Sequence, residues 1–243
     1  MGQAAPDRDR AMQSLIIHLT GTDARRENVA TLRETLPDAR IVPAVVGRTE
    51  ALDFPTAPGT LHAPSYPFPL SAGERGCFLS HRRCWEAIAD GPDPFALIVE
   101  DDLHLDPILW PDTLVLIARN ADETCFIRLP AKEREQVTSV TDSEGAAKLF
   151  TPRTIGLQTV AQVVGRQAAQ RLLAATRTID RPVDTTLQMH WVTGQRVQTI
   201  LHSGVSEHPG PSTIQKKSRT SGKLMREIRR AIYRARVRRR PQV

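Results

Sequence analysis

The chain contains little cysteine, and its cysteines form neither a disulfide pattern nor a metal-binding pattern. Only three of the 243 residues are cysteines: Cys77, Cys84 and Cys125. An odd number without ligand spacing argues against a disulfide framework and against a structural zinc site. Cys77 and Cys84 are seven positions apart, which places them on one face of a helix. We therefore expect packed, reduced thiols in a reducing compartment.

Long apolar runs are also missing. The first ten residues are charged and lack the apolar core of a secretory signal. No stretch approaches the roughly 20 apolar residues that a membrane-spanning helix needs. The apolar and charged fractions are those of an ordinary globular protein, and the length suits one large domain with extensions. These features predict a cytoplasmic protein.

The charge of the chain is unevenly distributed. Residues 216–243 contain twelve lysines and arginines against one acid, Glu227, whereas the whole chain carries only +6. Leu224, Ile228 and Ile232 recur at helical spacing among these arginines. We predict a flexible N-terminus over residues 1–13, a domain over 14–214 and a basic amphipathic helical tail over 215–243. The tail could bind an anionic membrane surface or remain a solvated basic arm.

The opening of the chain has a strand–helix–strand pattern. Residues 14–19 form an apolar run, residues 24–36 have helical apolar spacing, and residues 40–46 form a second apolar run. Pro43 is unfavourable in a central strand because it lacks a backbone N–H. The order predicts an α/β fold with parallel pairing. Residues 47–70 are rich in proline and predict a long surface loop.

A third apolar run ends in three acids. Residues 95–102 read Phe-Ala-Leu-Ile-Val-Glu-Asp-Asp, with the length of a buried strand. Such a strand delivers Glu100, Asp101 and Asp102 to the carboxyl edge of its sheet, where ligands bind in open α/β folds. Adjacent carboxylates repel one another and favour a bound divalent cation that also holds phosphate oxygens. The alternative is an acidic turn exposed to water.

Three segments resemble one family. They are the run from Leu70 to Trp85 (Leu-Ser-x-Gly-Glu-x-Gly-Cys-x-x-Ser-His-x-x-x-Trp), the strand Ala96–Asp102, and Pro182-Val183-Asp184. Their order and spacing resemble glycosyltransferase family 25, the lipopolysaccharide-type β-galactosyltransferases related to collagen galactosyltransferases. Residues 16–26 and 44–48 resemble the opening of that family. His18 and Gln162 depart from it, because asparagine and an aromatic residue are usual there.

The resemblance implies a GT-A fold, which is a single Rossmann-like nucleotide-sugar-binding domain with a mixed central sheet. It also implies transfer of a hexose, most often galactose, from a UDP-sugar to a glycan or glycolipid acceptor such as lipopolysaccharide. The reaction is expected to invert the anomeric carbon with the help of Mn²⁺ or Mg²⁺. For the tail, we expect peripheral association with the inner face of the plasma membrane.

Roles for individual residues follow from this comparison. Asp102 is expected to bind the metal, with Glu100 assisting and His208 completing the shell, His202 being the alternative to His208. Asp101 is expected to point away and cap the next turn, unless the strand twist exchanges it with a neighbour. Contacts to the donor are expected from a wider set: His18, Leu19, Arg26, Gly47, Arg48, Ser80, His81, Glu100 and Asp101, with Arg25 as a further candidate.

Two residues are candidates for the chemistry itself. Asp184 could be the general base that takes the acceptor proton, or it could cap a helix. His81 is expected near the donor, in contact with the pyrophosphate. Two other functions remain open: a nucleic-acid-binding protein that uses the basic tail, and an inactive homologue that only binds a sugar nucleotide. Tyr233 is the only aromatic residue of the tail, which makes base stacking, and hence nucleic acid as a partner, unfavourable.

Overall fold

The computed structural model describes residues 12–21, 23–208 and 223–242. Its strands are β1 (Gln13–His18), β2 (Ala39–Pro43), β3 (Phe95–Glu100), β4 (Leu103–Leu105), β5 (Phe126–Arg128), β6 (Val140–Glu144), β7 (Ala147–Phe150), β8 (Ala161–Gly165), β9 (Gln198–Leu201) and β10 (Val205–Glu207). Its helices are α1 (Asp23–Thr35), α2 (Ala72–Asp90), α3 (Trp110–Asn120), α4 (Arg166–Ala175), α5 (Val183–Leu187), α6 (His190–Thr193) and α7 (Lys223–Arg238).

Eight strands form one mixed sheet in the order β2-β1-β3-β8-β5-β9-β7-β6. β2, β1 and β3 are parallel, as the strand–helix–strand pattern predicts, and β8 runs antiparallel to both β3 and β5. β2 lies at the edge of the sheet, so Pro43 interrupts no interior ladder. The mixed α/β architecture agrees with the predicted fold class and fits a GT-A-like fold.

The sheet has an apolar core on each face. Alternate residues of β1 point to opposite sides, with Ile16 in one core and Leu15 and Ile17 in the other. α1 and α3 cover the first face, and α2, α4 and α5 cover the second. Trp85 of α2 is fully buried in the second core. Cys84 and Cys125 are buried free thiols and Cys77 is a half-buried one, as predicted.

The connection between β2 and α2 contains no helix or named strand, in agreement with the predicted long loop. It is held to the domain by a parallel bridge between Thr56 and Ile179. It ends at Ser71, whose hydroxyl accepts from the Glu74 amide while the Glu74 carboxylate accepts from the Ser71 amide. This capping box, which the sequence spacing predicts, fixes the start of α2.

A small two-stranded sheet was absent from the sequence prediction. β4 and β10 pair antiparallel, with Glu207 opposite Leu103. Each strand has three residues, which is too short for a periodic pattern to identify. The pairing brings the chain just after β10 next to the end of β3.

The C-terminal segment contains the helix α7, and one side of this helix packs against the domain. Tyr233 and Val237 of α7 are buried against the domain, and the Tyr233 hydroxyl lies 3.1 Å from the Arg181 guanidinium. Gln242 is also buried, and its side chain bonds to both backbone groups of Val197 next to β9. Tyr233 and Gln242 are single residues within an arginine-rich run, and the sequence alone does not predict that they pack against the domain.

Most of the predicted flexible N-terminus, residues 1–11, lies outside the described residues. Gln13 already belongs to β1. Among the helices that the structure describes, none is both long and apolar enough to cross a bilayer.

Candidate active site

The candidate site lies at the sheet edge where β1 and β3 end. Because β8 runs antiparallel to β3, the residues that precede β8 reach the same edge. The Glu100 amide donates to the Val160 carbonyl at 2.9 Å, and the Thr159 hydroxyl donates to Glu100 Oε1 at 2.9 Å. The carboxylate at the end of β3 is thereby fixed by the strand next to it.

His81 is fully buried behind Glu100. Its Nε2 lies 3.2 Å from Glu100 Oε1, and its Nδ1 lies 2.9 Å from Gln162 Nε2. Because an amide nitrogen can only donate, Nδ1 accepts and the Nε2 proton faces Glu100. Burial alone would raise the pKa of Glu100, but the bonds from His81 and Thr159 and the charge of Arg25 hold that pKa below its ordinary value.

The burial of His81 corrects the expectation that it contacts the pyrophosphate. Both ring nitrogens have protein partners and the residue is 0 % exposed. His81 is therefore a positioning residue for Glu100. Gln162, at a position where the family usually has an aromatic residue, supplies the bond that orients the imidazole.

Asp101 is expected from the sequence to cap the following turn, and in the structure it does not. It is buried, and one carboxylate oxygen lies 2.8 Å from His18 Nδ1 and 3.1 Å from the Leu19 amide. The other oxygen accepts from Arg25. Both oxygens thus have protein donors, so Asp101 joins the ends of β1 and β3 to the start of α1. His18 takes part in this anchor.

Asp102 has one oxygen in an ion pair and one without a partner. Its Oδ2 accepts from Arg25 at 3.1 Å. Its Oδ1 is buried and has no hydrogen-bond partner among the described residues. Burial and the charge of Glu100 raise the pKa of Asp102 above its ordinary value. A buried carboxylate oxygen that has no hydrogen-bond donor is a suitable ligand for a cation.

Asp184 lies in the first turn of α5. Its Oδ2 accepts from the Gln158 amide at 3.3 Å, and its Oδ1 accepts from the Thr185 amide at 2.6 Å. The cap position is held by Pro182, so Asp184 is not the helix cap that was the alternative. Burial raises the pKa of Asp184, although these hydrogen bonds act in the opposite direction.

The Cys77 thiol lies among these carboxylates. Burial raises the pKa of Cys77 well above its ordinary value, and the charges of Glu100, Asp184 and Asp102 raise it further. Within the described chain, one group of three potential metal ligands has its donor atoms within 4.8 Å of one another, and it consists of Cys77, His81 and Glu100. Glu100 and the Cys77 thiol therefore belong to one site, and the charges of Asp102 and Asp184 act on that thiol.

His208 reaches the site through its backbone. Its amide donates to the Asp102 carbonyl at 2.6 Å, because the β4–β10 pairing aligns the two segments. Its side chain is exposed and is not part of the ligand group above. His202, the alternative, instead pairs with Glu133 at 3.1 Å.

Ser80 and Gly47 lie where the chain after β2 approaches α2. The Ser80 hydroxyl donates to the Gly76 carbonyl at 2.7 Å and accepts from the Val45 amide at 2.8 Å, so it is engaged within the protein rather than at the donor site. Gly47 lies against the start of α2, where a Cβ would come within 1.7 Å of the Ala72 carbonyl oxygen. A contact of the Gly47 backbone with the donor stays a prediction.

Replacing Gly47 by alanine should destabilise the fold by about 3 kcal/mol, because the backbone of α2 has to shift. Urea unfolding of both proteins measures the difference. Unchanged stability combined with weaker nucleotide binding would instead indicate that Gly47 contacts a ligand.

The arginines after β1 and β2 divide into two groups. Arg25 is largely buried and joins Asp101 to Asp102. Arg26 and Arg48 are exposed, and a role for them with the nucleotide stays a prediction. Leu19 contributes its backbone amide to Asp101.

Sequence reasoning missed a second buried cation near the site. Arg128 of β5 is buried in an ion pair with Glu135, and its guanidinium also donates to the Leu157 carbonyl. It supports the turn at Gln158, whose φ is 82° and whose amide donates to Asp184. An isolated arginine in a three-residue strand gave no sequence signal.

The sequence comparisons agree with this geometry. The sequence profile of the family described as "Glycosyltransferase family 25 (LPS biosynthesis protein)" matches residues 11–187. Procollagen galactosyltransferase 1 of Danio rerio is 36% identical over 94 residues, which is 36% of this chain and 15% of that protein. A glycosyltransferase 25 family member of Drosophila melanogaster is 29% identical over 187 residues, which is 72% of this chain and 30% of that protein.

Procollagen galactosyltransferase 2 of Homo sapiens is 26% identical over 180 residues, which is 70% of this chain and 28% of that protein. The chain thus spans less than a third of the length of these relatives. The profile match covers well over half of the chain and includes β1, α2, β3 and Asp184. The chain therefore belongs to glycosyltransferase family 25.

Proposed function

We propose that the protein transfers a hexose, with galactose as the first candidate, from a UDP-sugar to a hydroxyl of a surface glycan such as lipopolysaccharide. The observation that carries this proposal is the buried Asp102 Oδ1 without a hydrogen-bond partner among the described residues, next to the strand end at which His81 and Thr159 hold Glu100. The names of the relatives support galactose as the sugar.

The carboxylates fit a hard divalent cation such as Mn²⁺ or Mg²⁺. Asp102 Oδ1 is a buried oxygen without a donor in the described part of the chain, and Glu100 is held ionised beside it. Hard cations prefer such oxygens, whereas the raised pKa of Cys77 keeps its sulfur a protonated, poor ligand. Asp102 and Glu100 would therefore hold the ion. When bound, it would neutralise the charge that develops on the diphosphate leaving group.

The protein side chains around these acids keep them in place. Arg25 bonds to Asp102 Oδ2, and His81 and Thr159 bond to Glu100. Since these partners are themselves buried or half-buried, the carboxylates are oriented before any ligand arrives. Such preorganisation avoids a reorganisation cost during the reaction.

Asp184 is the proposed general base. An inverting transfer needs a group that takes the proton of the acceptor hydroxyl as that oxygen attacks the anomeric carbon. Burial raises the pKa of Asp184, which makes its carboxylate a stronger base than an ordinary aspartate. Burial raises the pKa of Tyr66 in the loop before α2, and the charges of Glu74 and Asp184 add to this effect.

The donor can be identified by thermal shift. UDP-galactose, UDP-glucose, UDP-N-acetylglucosamine and CMP-sialic acid are each added with and without Mn²⁺. A ligand that binds only the folded state raises the melting temperature by mass action. We expect the largest Mn²⁺-dependent shift from UDP-galactose, and a shift from CMP-sialic acid alone would contradict the proposal.

Replacing Asp102 by asparagine should weaken Mn²⁺-dependent binding of UDP by at least about tenfold, because the cation loses a charged ligand. Titration calorimetry with UDP, with and without Mn²⁺, measures the effect. Asp90→Asn is the matched control, since Asp90 is an exposed acid at the far end of α2. Unchanged Mn²⁺ dependence in Asp102→Asn would refute the metal assignment.

A further inference from the structure

The C-terminal helix α7 has two opposite faces with different surroundings. Residues spaced at about 100° around the helix axis divide into a buried side and an exposed apolar side. The buried side is formed by Tyr233 and Val237. The exposed side is formed by Leu224, Met225, Ile228 and Ile232, which fall within an arc of about 100°.

The buried side fixes the helix to the domain. The Tyr233 ring packs edge-on against Tyr66 with centroids 5.4 Å apart, and its hydroxyl bonds to Arg181. Beyond the helix, the Arg240 guanidinium lies 4.9 Å from the centre of the Trp191 ring and donates to the Ala63 carbonyl. Because these contacts hold the buried side against the domain, the opposite side of the helix faces outward.

The apolar side chains on the outward side of the helix are all exposed to solvent. Leu224 is 76% exposed, Met225 54%, Ile232 47% and Ile228 42%. Four neighbouring apolar side chains form a contiguous patch, and such a patch indicates an interaction surface. Isolated exposed apolar residues elsewhere, such as Ile108, do not carry this meaning.

Arginines border the apolar side. Arg229 and Arg236 lie along one margin and Arg234 and Arg238 along the other, and all four are exposed. Arg229 and Arg236 also line a groove of about 320 Å³ together with Ser65, Pro67, Ile232 and Tyr233. Glu227 falls on the same margin as Arg234 and Arg238 and is paired with Arg230, so the helix presents an apolar strip between two predominantly basic margins.

We propose that α7 binds the surface of an anionic lipid bilayer, with its apolar side among the acyl chains and its arginines on the headgroup phosphates. An apolar side bordered by basic residues is the pattern of helices that lie in the plane of a membrane interface. A nucleic acid would use the arginines but would leave the apolar strip in water. A second copy of the chain would cover the strip but would bring its basic margins close together.

The docking of α7 places the proposed membrane contact on the domain that carries the candidate site. The Tyr233 ring packs against Tyr66, a residue of the loop that leads into α2, and α2 carries Cys77 and His81 of that site. If the proposed function holds, a glycan anchored in the bilayer is the acceptor that this arrangement suits, whereas the membrane contact itself does not depend on the proposed function.

The experiment measures co-sedimentation of the full chain with vesicles of phosphatidylcholine alone and of phosphatidylcholine mixed with phosphatidylglycerol. We expect binding to the mixed vesicles only, weakened by salt. Leu224→Ser combined with Ile228→Ser, and separately Arg229→Gln combined with Arg236→Gln, should each weaken it by about tenfold or more. Ile108→Ser, and Lys148→Gln combined with Arg177→Gln, are the matched controls on other surfaces and should bind normally.

Other binding partners of the apolar strip would give different results. If binding survives the serine pair and RNA competes it away, the partner of α7 is a nucleic acid rather than a bilayer. A concentration-dependent dimer in ultracentrifugation that the serine pair abolishes would assign the strip to a second copy. The absence of wild-type binding to mixed vesicles would also overturn the proposal. Melting temperature and the UDP-induced thermal shift should be unchanged in the serine pair, which separates this test from that of the donor site.

Discussion

Replacing Asp184 by asparagine is expected to slow sugar transfer by about a thousandfold while UDP binding stays unchanged. Asparagine keeps the shape of the side chain but cannot accept a proton. The Thr185 amide can still donate to its oxygen at the start of α5, whereas the Gln158 amide then faces the new NH2 group and loses its acceptor. The rate is measured as release of UDP, with water as acceptor, from the UDP-sugar that gives the largest thermal shift.

The pH dependence gives an independent test of Asp184. Burial raises the pKa of Asp184, and a base acts only in its ionised form. The rate should therefore fall as pH drops through this raised pKa, at a higher pH than for an ordinary aspartate. Asp184→Asn should lose this acidic limb, whereas Asp90→Asn should keep it. A wild-type rate in Asp184→Asn would place the base elsewhere.

Stability separates the catalytic role of Asp184 from a structural one. A carboxyl whose pKa is higher in the folded state than in the unfolded state costs stability as pH rises through that interval. Asparagine resembles the protonated form in charge, so the stability of Asp184→Asn relative to the wild type should be greatest at neutral pH, although the lost acceptor of the Gln158 amide costs stability at every pH. The difference should shrink as pH falls toward the ordinary pKa of aspartate. Marked destabilisation at neutral pH would indicate a structural role.

The sequence was sufficient to predict the strand that ends at Glu100 but not the contacts among the residues of the candidate site. The apolar run before Glu100 could be interpreted as a buried parallel strand, and strands of this kind end where ligands bind. The roles of Asp101 and Asp102 depend on the twist of the chain after β3. Arg25, which bonds to both, comes from a different element, and no local pattern encodes that contact.

The glycines and Ser80 show a second limit of assignment from sequence. A motif that combines glycine, serine and histidine suggests a phosphate site, because such residues allow close backbone approach. Here Gly47 and Gly76 instead allow the chain after β2 to approach α2, and Ser80 bonds to both segments. Sequence alone does not distinguish backbone packed against a ligand from backbone packed against backbone.

The docking of α7 was missed for a related reason. Apolar spacing in that segment is set by the exposed strip, so the periodicity identifies the helix but gives no sign of the side that contacts the domain. The contact depends on Tyr233, Val237 and Gln242, which reach partners far away in the sequence. Such long-range contacts come from tertiary packing.

Replacing Arg181 by methionine is expected to lower the free energy of unfolding by about 3–5 kcal/mol, because a buried charge loses its partner. The Arg181 guanidinium is 0 % exposed and bonds to both carboxylate oxygens of Asp180, at 2.7 and 2.8 Å. It also donates to the His62 and Pro64 carbonyls and to the Tyr233 hydroxyl. Urea unfolding measures this loss, and we also expect the melting temperature to fall by roughly 10 °C.

The control variants separate the lost ion pair from a general effect of the substitution. Arg177→Met changes an exposed arginine in the same segment and should leave stability nearly unchanged. Asp180→Asn combined with Arg181→Met removes the second charge as well, and it should recover part of the loss, because no unpaired carboxylate remains buried. Equal stability of Arg181→Met and Arg177→Met would contradict this account. Because Arg181 joins the loop before α2 to Tyr233, Arg181→Met should also expose α7 to proteolysis before the sheet unfolds.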